Sequence, residues 1–524
     1  MIFKSKLFLP FILFFGLVSF HMLLMPRDIW DGLIIEYASY INDLSGIEVY
    51  FLESGWFLQY PLSIFLINIA KIFGLKYVQI NALFVLILML VVLRESIFIA
   101  SNILKLPPIS ISLTLLLIAT FSSWNQLLSS IMTFHFFCIA IGLLSIRYLH
   151  FGNNFLKLMS IFGFMIAFNY QSLLVFLPFL SYIYDLFGNK NLNNKFIKAP
   201  SLYTFLVLIF GIVLFLLFRY YYPPFGLYED YNRLKVFDGF QVIGLTYFAL
   251  QLGTYLMPMI AVFTSILFAL FFLDRINFFN IMQNIKINFY QIIWLILFLG
   301  AAAFPYIAVG KGSVLWNVGG WSGRQAFTLA LPLSFLTGYM FNIFYKSISV
   351  KLIQKIIILG ILSIVLLQSI LLTSGVFYKL NRQAFETQLV SLIQENQDRI
   401  GAGKLLIFGE GIPGPTFSSY ESNFLMFEAT DRSDWWSSIS SNVEENLIIP
   451  CHMQKSSRYH KKYIYDFKSE HLDNESSILI EAHGFIGIKN IILNSFGFSN
   501  NQKINLIKIN SMNDSFKSMH ICEL

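Results

Sequence analysis

The run YTFLVLIFGIVLFLLF at residues 203–218 decides the fold class, because 16 consecutive positions carry no charged side chain. The runs ISLTLLLIAT at residues 111–120 and IIILGILSIVLLQSILL at residues 356–372 have the same character. A helix of about 17–25 apolar residues crosses the hydrocarbon core of a bilayer. Only 12% of the chain is charged, about half the share typical of soluble domains. The sequence therefore predicts an all-α polytopic membrane protein.

The basic residues lie mostly in short links between the apolar runs. Their excess gives a net charge of +7, and their distribution is typical of cytoplasmic loops rather than of a nucleic-acid-binding surface. We therefore expect the lipid bilayer as a partner and no nucleic acid. The three cysteines, Cys138, Cys451 and Cys522, are too few for a disulfide framework or a zinc cluster.

The orientation of the chain follows from its first residues. Lys4 and Lys6 precede the first apolar run, so the N-terminus is expected in the cytoplasm. No small-x-small cleavage site follows this run, which indicates an uncleaved signal anchor. The stretch at residues 61–74 is short for a span and typical of a helix lying along the membrane surface. About 11 spans result, at residues 7–25, 77–100, 107–122, 128–149, 156–170, 172–187, 201–219, 243–273, 289–309, 326–345 and 352–376.

The chain becomes polar after residue 377. Short runs of β type punctuate this tail, namely KLLIFGE, NLIIP, SSILIEA and INLIKI. An odd number of spans places the tail outside the cytoplasm. We therefore expect a transmembrane module at residues 1–377, whose first outer loop at 26–76 carries interfacial helices, and an extracytoplasmic α/β domain at 378–524.

The first outer loop is rich in acidic residues. Three of them, Asp28, Asp31 and Glu36, lie within nine residues of one another. Carboxylates so close to the end of an apolar helix are costly unless the backbone has just left the bilayer. The cluster is therefore either the solvated start of a helix or the working part of an enzyme whose substrate lies at the membrane surface.

With these acids after its first span, the chain resembles the GT-C glycosyltransferases, integral membrane enzymes that use a polyprenyl-phosphate-linked sugar as donor. The stretch QYPLSIFLINIAKIFG at residues 59–74 is similar to the proline-containing stretch, ending in Phe-Gly, that precedes the second span in many members. Many spans, a soluble C-terminal domain and an arginine before a late span, here Arg324, are shared as well. The architecture is most similar to that of bacterial O-antigen glucosyltransferases, including serotype-converting enzymes.

The resemblance implies that a first-loop carboxylate takes the proton of the acceptor hydroxyl. Asp28 and Asp31 are three residues apart, one turn of a helix expected to begin after Pro26, and so lie on neighbouring faces. Asp31 is the preferred base because Trp30 beside it could line the sugar site, and Asp28 and Glu36 are the other catalytic candidates. Alternatively, the two aspartates only stabilise the positive N-terminal end of that helix.

The leaving phosphate of the donor needs a cationic partner, and the planar fork of arginine gives bidentate contacts. Arg324 and Lys311 are the first candidates, because glycines beside them in a late outer loop let the backbone approach an anion. Arg219 and Arg233, in a tyrosine-rich outer loop, are the second candidates. The alternative for all four is an anchoring role at the membrane interface.

Aromatic side chains stack against sugar rings, so Trp30, Trp56 and Trp321 are predicted contacts of the sugar or the acceptor. Each could instead belong to the aromatic belt of the interface. His135 lies inside a span, where a structural role is expected, and the histidines of the tail lack metal-ligand spacing. No metal site and no certain cofactor are predicted, and the use of a divalent cation is left open.

The resemblance therefore implies a hexosyltransferase of the bacterial inner membrane. It would transfer one sugar, most plausibly glucose, from undecaprenyl phosphate to O-antigen or another surface polysaccharide at the periplasmic face, as in lipopolysaccharide modification and serotype conversion. The nearest alternative is an O-antigen polymerase or ligase, which relies on outer-loop basic residues rather than on first-loop acids. A flippase for lipid-linked sugars is the other, and it predicts inverted repeats and charges within the spans.

Overall fold

The computed structural model describes residues 2–40, 44–188, 201–224, 278–308, 321–347, 351–397, 404–408, 419–431, 436–440, 475–482 and 504–511. In chain order, the α-helices in these ranges are α1 (Ile2–Phe14), α2 (Phe20–Leu24), α3 (Gly32–Tyr40), α4 (Ser45–Ser54), α5 (Gln59–Phe73), α6 (Tyr77–Phe98), α7 (Pro108–Ala119), α8 (Thr133–Phe151), α9 (Asn154–Ala167), α10 (Leu173–Gly188), α11 (Leu202–Tyr221), α12 (Phe278–Ile287), α13 (Phe289–Ala308), α14 (Ala330–Ser347), α15 (Lys351–Glu395) and α16 (Ser419–Thr430). The strands are β1 (Lys404–Phe408), β2 (Trp436–Ser440), β3 (Glu475–Ala482) and β4 (Ile504–Ser511).

Long apolar helices make this a membrane-embedded, mainly helical protein. Within the described ranges, seven helical segments are long and apolar enough to cross a membrane: Lys6–Leu24, Tyr77–Ile103, Ser130–Phe151, Leu202–Tyr221, Phe289–Ala308, Ala326–Ser347 and Gln354–Glu395. All seven overlap predicted spans. The bent pair formed by α7 and the 3₁₀ segment Ser122–Leu128 would be an eighth. The predicted total of eleven stays a prediction, and the expected span at 243–273 lies outside the described residues.

Two predicted spans appear as helices too short to cross a bilayer upright. The runs expected at residues 156–170 and 172–187 form α9 with 14 residues and α10 with 16. At about 1.5 Å per residue these helices are shorter than the hydrocarbon thickness of roughly 30 Å. The apolar runs there are interrupted by the polar turn that joins the two helices, so neither helix extends further.

Helix α5 occupies the stretch that the sequence predicts to lie along the membrane surface. One side of it buries Leu66 and Ile67, while Phe65, Ile72 and Phe73 are exposed by 56%, 78% and 69%. A helix with one buried and one exposed apolar side is suited to packing against protein on one side and lipid on the other. The helix ends at a glycine with a left-handed φ of 63°, which terminates it cleanly.

A buried bent segment follows α7. The chain turns by 44° between α7 and the 3₁₀ segment Ser122–Leu128, and every residue of that segment is buried. Irregular backbone at membrane depth is tolerated where protein surrounds it and supplies hydrogen bonds. We refer to Ser122–Leu128 together with the next 3₁₀ turn, Ser130–Met132, as the buried turn segment.

Helix α15 supplies much of that support. The Lys379 ammonium donates to the backbone carbonyl of Asn125 at 2.7 Å and to its side-chain oxygen at 2.9 Å. One turn earlier, Gly375 leaves room for the Asn125 amide, which a Cβ would overlap. The carboxamide oxygen of Gln368 accepts from the Ser122 amide at 3.3 Å. These contacts fix the buried turn segment against α15.

Helix α15 is also longer than the predicted span at 352–376. Its 45 residues measure roughly 68 Å at 1.5 Å per residue, about twice the hydrocarbon thickness. It therefore continues across the predicted domain boundary at residue 377. The strongly apolar run ends there, but Leu380, Phe385 and Leu389 stay buried, so packing on one face maintains the helix.

The described strands of the C-terminal part form one four-stranded sheet in the order β2-β1-β3-β4. β1 pairs in parallel with β2 and β3, and β4 pairs antiparallel with β3. Helix α16 connects β1 to β2, as parallel pairing requires a crossover. Three of the four predicted β-type runs overlap β1, β3 and β4, while NLIIP lies outside the described residues. β2 was not predicted, and an extracytoplasmic position of the sheet stays a prediction.

The lysine contact can be tested by Lys379→Met. This change leaves the Asn125 carbonyl buried without its donor, and we expect it to lower the free energy of unfolding by about 1–3 kcal/mol. The measurement is the thermal denaturation midpoint of the purified chain in detergent. Lys355→Met, at an exposed position of the same helix, is the matched control. Equal midpoints for the two variants would contradict the assigned role of Lys379.

Candidate functional site

The first-loop acids do not share the opening turn of a helix. The predicted helix after Pro26 is wrong, because residues 25–31 are not helical and α3 begins at Gly32. Trp30 adopts a left-handed φ of 52°, which interrupts any helix before α3. The Asp28 carboxyl lies so close to Gly32 that a Cβ there would overlap it. The local path therefore depends on a glycine at the position where the loop folds back on itself.

Asp28 is fully buried and tied to the buried turn segment. Its carboxylate accepts from the Ile29 amide at 2.7 Å and, with its two oxygens, from the Ser130 amide at 3.1 and 3.3 Å. The Ser129 hydroxyl donates to the Ile29 carbonyl at 2.9 Å, beside these bonds. Burial raises the pKa of Asp28 to about 6, although these hydrogen bonds favour the charged form.

Glu36 on α3 returns to the same place. The backbone amide of Asp28 donates to the Glu36 carboxyl, so the two acidic residues are neighbours. Burial and the adjacent Asp28 carboxyl raise the pKa of Glu36 to about 8, while Arg27 and the Asp28 amide act in the opposite direction. Burial and mutual repulsion thus favour the protonated form of Glu36.

Glu36 opens onto a cavity of about 430 Å³ at the end of the apolar helices. Its wall comes from four parts of the chain: the first loop, α3, the α5–α6 connection and α16. The lining residues are Pro26, Arg27, Glu36, Ser39, Tyr40, Ala70, Lys71, Leu75, Lys76, Tyr77, Phe424, Phe427 and Glu428. One wall is thus cationic, another is aromatic, and a carboxyl group lies between them.

The cationic wall combines one buried and two exposed bases. Arg27 is 3% exposed and pairs with Glu428 at 3.1 Å, while its carbonyl accepts from Gln383 of α15. Lys71 and Lys76 are exposed at the end of α5 and the start of α6. The Lys76 ammonium donates to the Pro26 carbonyl at 2.8 Å. The three bases give the cavity an electrostatic preference for anions.

The aromatic wall joins α3 to α16. The Tyr37 ring meets those of Phe424 and Phe427 edge-on, with centroids 5.6 and 5.0 Å apart, and the Tyr40 ring meets Phe427 at 5.8 Å. Tyr40 is 69% exposed and follows Glu36 by four residues on α3. Residues four apart lie on the same helix face, so an open aromatic ring stands beside the carboxyl group.

The other predicted site residues of the first loop do not line the cavity. Asp31 immediately precedes α3 and does not line the cavity, whereas Asp28 and Glu36 are brought together. Trp30 is buried beneath the Lys379 ammonium, 4.4 Å from its ring centroid. Trp56 packs edge-on against His135, with centroids 4.6 Å apart.

The predicted phosphate-binding residues are not brought to this cavity by the described structure. Arg324 is partly exposed in the 3₁₀ segment Trp321–Leu329 and lies within electrostatic range of His135. Arg219 is in the last turn of α11 and also partly exposed. Lys311, Arg233 and the Trp321 side chain lie outside what the structure describes. His135, between Trp56 and Tyr170, has the packed environment expected of a structural residue.

No protein-family model, curated protein or solved structure matches this chain. The chemistry of the cavity must therefore be argued from its own side chains. Within the described ranges, no group of three or more His, Cys, Asp or Glu side chains could hold a metal ion. The groups available for chemistry in the cavity include the Glu36 carboxyl of raised pKa, the Glu428 carboxylate, three bases and aromatic rings.

Several of these residues were missed from the sequence. Lys71 and Lys76 bracket the glycine turn after α5, and two bases at the end of a surface helix were a usable signal. Glu428 and Phe427 lie in a polar tail with no motif around them. The length and direction of α15 bring these residues close to the first loop, and no local sequence pattern predicts that proximity.

The raised pKa values predict how stability depends on pH. The folded state binds the proton of Glu36 more tightly than the unfolded chain does, so this contribution is complete below about pH 4.5 and is lost as the pH rises to about 8. We expect the denaturation midpoint of the wild type to fall over this range relative to that of Glu36→Gln, which cannot ionise. Parallel midpoint-against-pH curves for the two proteins would contradict the buried position of Glu36. Glu395→Gln, on an exposed turn of α15, serves as the control.

Proposed function

We propose that the chain is a membrane glycosyltransferase whose active site is the cavity beside Glu36. The donor would be a polyprenyl-phosphate sugar, such as a glucosyl undecaprenyl phosphate, and the acceptor a sugar hydroxyl of O-antigen or another surface glycan at the periplasmic face of the inner membrane. One observation carries the proposal: a carboxyl with a pKa near 8 lines a cavity with Arg27, Lys71 and Lys76 at the end of an apolar helix bundle.

Glu36 would act as the general base. Its carboxylate takes the proton of the acceptor hydroxyl while the hydroxyl oxygen forms a bond to the anomeric carbon of the donor. The bond from that carbon to the phosphate oxygen breaks, and the lipid phosphate leaves with the electron pair. Direct attack inverts the configuration at the anomeric carbon. A base with a pKa close to the working pH is well matched to this transfer.

Asp28 would be a positioning residue in this reaction. Its carboxylate already accepts amide hydrogens from Ile29 and Ser130, and it is fully buried. Its negative charge helps to keep the pKa of Glu36 high and so keeps that group a strong base. This assignment moves the base from the aspartates favoured by the sequence to the acidic residue that lines the cavity.

The lipid part of the donor would lie along α5. Phe65, Ile72 and Phe73 form an exposed apolar side of this helix, and Lys71 and Lys76 line the cavity at its end. A polyprenyl phosphate has the same division into an apolar chain and a charged end. Tyr40 and Phe427 on the opposite wall would then face the acceptor sugar.

The rival functions make different demands on these residues. An O-antigen polymerase or ligase would depend on basic residues of middle or late outer loops and would tolerate loss of the Glu36 carboxyl. A flippase forms and breaks no covalent bond, so it would show no sugar transfer with or without the Glu36 carboxyl. A carboxyl of raised pKa placed beside bases supports the transferase.

The first functional test is Glu36→Gln. The substituted amide cannot accept a proton, so we expect the transfer rate to fall by about 10²- to 10⁴-fold. The wild-type rate should rise with pH up to about 8, where Glu36 becomes ionised. The assay follows sugar transfer from a polyprenyl-phosphate glucose in purified membranes, with Glu395→Gln as the control. Unchanged turnover in Glu36→Gln would exclude this site.

The product can be identified by mass spectrometry of surface polysaccharide from a host that expresses the chain. A gain of one hexose per repeat unit is the expected result. Longer chains with unchanged repeat units would instead favour the polymerase.

Tyr40→Ala tests the acceptor side of the cavity. Loss of the ring should raise the KM for the acceptor by about tenfold, as expected for about 1.4 kcal/mol of binding, with little change in the KM for the donor. Tyr40→Phe keeps the ring and should retain the wild-type KM. An equal rise in both KM values would contradict an acceptor subsite at Tyr40.

A further inference from the structure

Arg27 has unused hydrogen-bonding capacity beside the cavity. Its side chain is 4% exposed, and Nη2 pairs with the Glu428 carboxylate at 3.1 Å. Among the residues that the structure describes, none accepts a hydrogen bond from its buried Nε and Nη1 atoms. A guanidinium group carries five N–H donors in a planar fork and is always charged. Two buried nitrogen atoms of this fork thus lack the partner that they normally find.

An oxyanion of the phosphate class would satisfy this fork. A phosphate accepts paired hydrogen bonds from Nη2 together with Nε, or from Nη2 together with Nη1, so a bidentate contact needs the Nη2 atom that Glu428 now occupies. Such bonds are short and strong because both groups are charged. Lys71 and Lys76 line the same cavity and would add positive charge around the ligand. A neutral ligand could accept these hydrogen bonds but would bring no charge to balance the guanidinium, so the arrangement favours an anion.

Glu428 has the properties of an exchangeable partner for Arg27. Its side chain is 35% exposed, and Oε2 has no hydrogen-bond partner among the described residues. It lines the cavity, so a ligand entering there meets the ion pair directly. A ligand phosphate, which carries more negative charge than one carboxylate, can therefore compete with Glu428 for Arg27.

We propose that Arg27 is the anion-binding residue of this cavity and that Glu428 is its resting counter-ion, which a phosphate-bearing ligand displaces. Only the identification of the ligand as a lipid phosphate rests on the proposed glycosyltransferase function. The rest of α16 stays in place during the exchange, because Glu421 pairs with Arg382 at 3.0 Å and Phe424 packs on Tyr37. The exchange is thus a movement of one side chain.

The test measures binding to the purified full-length chain in detergent by titration calorimetry. The ligands are farnesyl phosphate, inorganic phosphate and, as the uncharged comparison, farnesol. Glu428→Gln removes the competing charge, so we expect it to bind farnesyl phosphate about two- to fivefold more tightly than the wild type. Arg27→Gln should bind it at least about tenfold more weakly. Glu395→Gln is the matched control and should bind as the wild type does.

The two phosphate ligands distinguish the sources of the anion. Tighter binding of both by Glu428→Gln supports a site that recognises the phosphate group itself. Tighter binding of farnesyl phosphate alone supports a site that also requires the lipid. If Glu428→Gln binds neither ligand more tightly, or binds farnesol equally well, the counter-ion role is overturned, whether or not Arg27→Gln folds.

These binding results are separable from the proposed function. Phosphate-dependent binding that responds to Glu428→Gln, in a protein that transfers no sugar, would retain the anion site and reject the glycosyltransferase. If the protein transfers sugar but Arg27→Gln and the wild type bind farnesyl phosphate equally well, the glycosyltransferase is retained and the anion site is rejected.

Discussion

One face of α15 contacts three separate segments at or beside the candidate site: the first loop, the buried turn segment and α16. Lys379 holds the buried turn segment through Asn125, Gln383 donates to the Arg27 carbonyl in the first loop, and Arg382 pairs with Glu421 of α16. These three positions fall within little more than one helical turn of about 3.6 residues. A small shift of α15 would therefore displace the first loop, the buried turn segment and α16 together. Because α15 is longer than a bilayer is thick, Arg382 and Gln383 lie beyond the apolar bundle and contact α16 and the first loop, which line the cavity.

The concentration of buried charge here favours function over stability as its cause. Asp28 is fully buried, Arg27 is nearly so, and each brings a desolvation cost that ion pairs only partly offset. Apolar side chains of similar volume would stabilise the same packing at lower cost. Groups with strongly perturbed pKa values tend to lie at functional sites, and Glu36, whose pKa is raised, lines the cavity. A role at the N-terminal end of α3 fits the position of Asp31, which immediately precedes the helix, but not Asp28, whose carboxylate accepts from the Ile29 and Ser130 amides.

The sequence predicted the features that depend on local pattern. Apolar runs located the long helices, the amphipathic stretch at 59–74 located α5, and the acids after the first span led to the site. It misassigned the start of α3, because the reversal at Trp30 depends on Asp28 binding to Ser130, a contact distant in sequence. It could not pair Arg27 with Glu428 for the same reason. Arg324 and Lys311, which have glycines beside them in a late outer loop, attracted the phosphate prediction, whereas we propose Arg27 for that role.

Arg27 also connects donor binding to the strength of the base. Its positive charge lowers the pKa of Glu36, opposing the effects of burial and of Asp28. A phosphate on Arg27 would oppose that charge with more negative charge than the Glu428 carboxylate carries. This change raises the proton affinity of Glu36. The carboxylate would thus become a stronger base when the donor is in place, and the same arginine would hold the leaving group as the proton moves. A protein that bound phosphate far from Glu36 would lack this coupling. For the strength of the base, the electrostatic effect of Arg27 on Glu36 is therefore more important than the number of bases around the cavity.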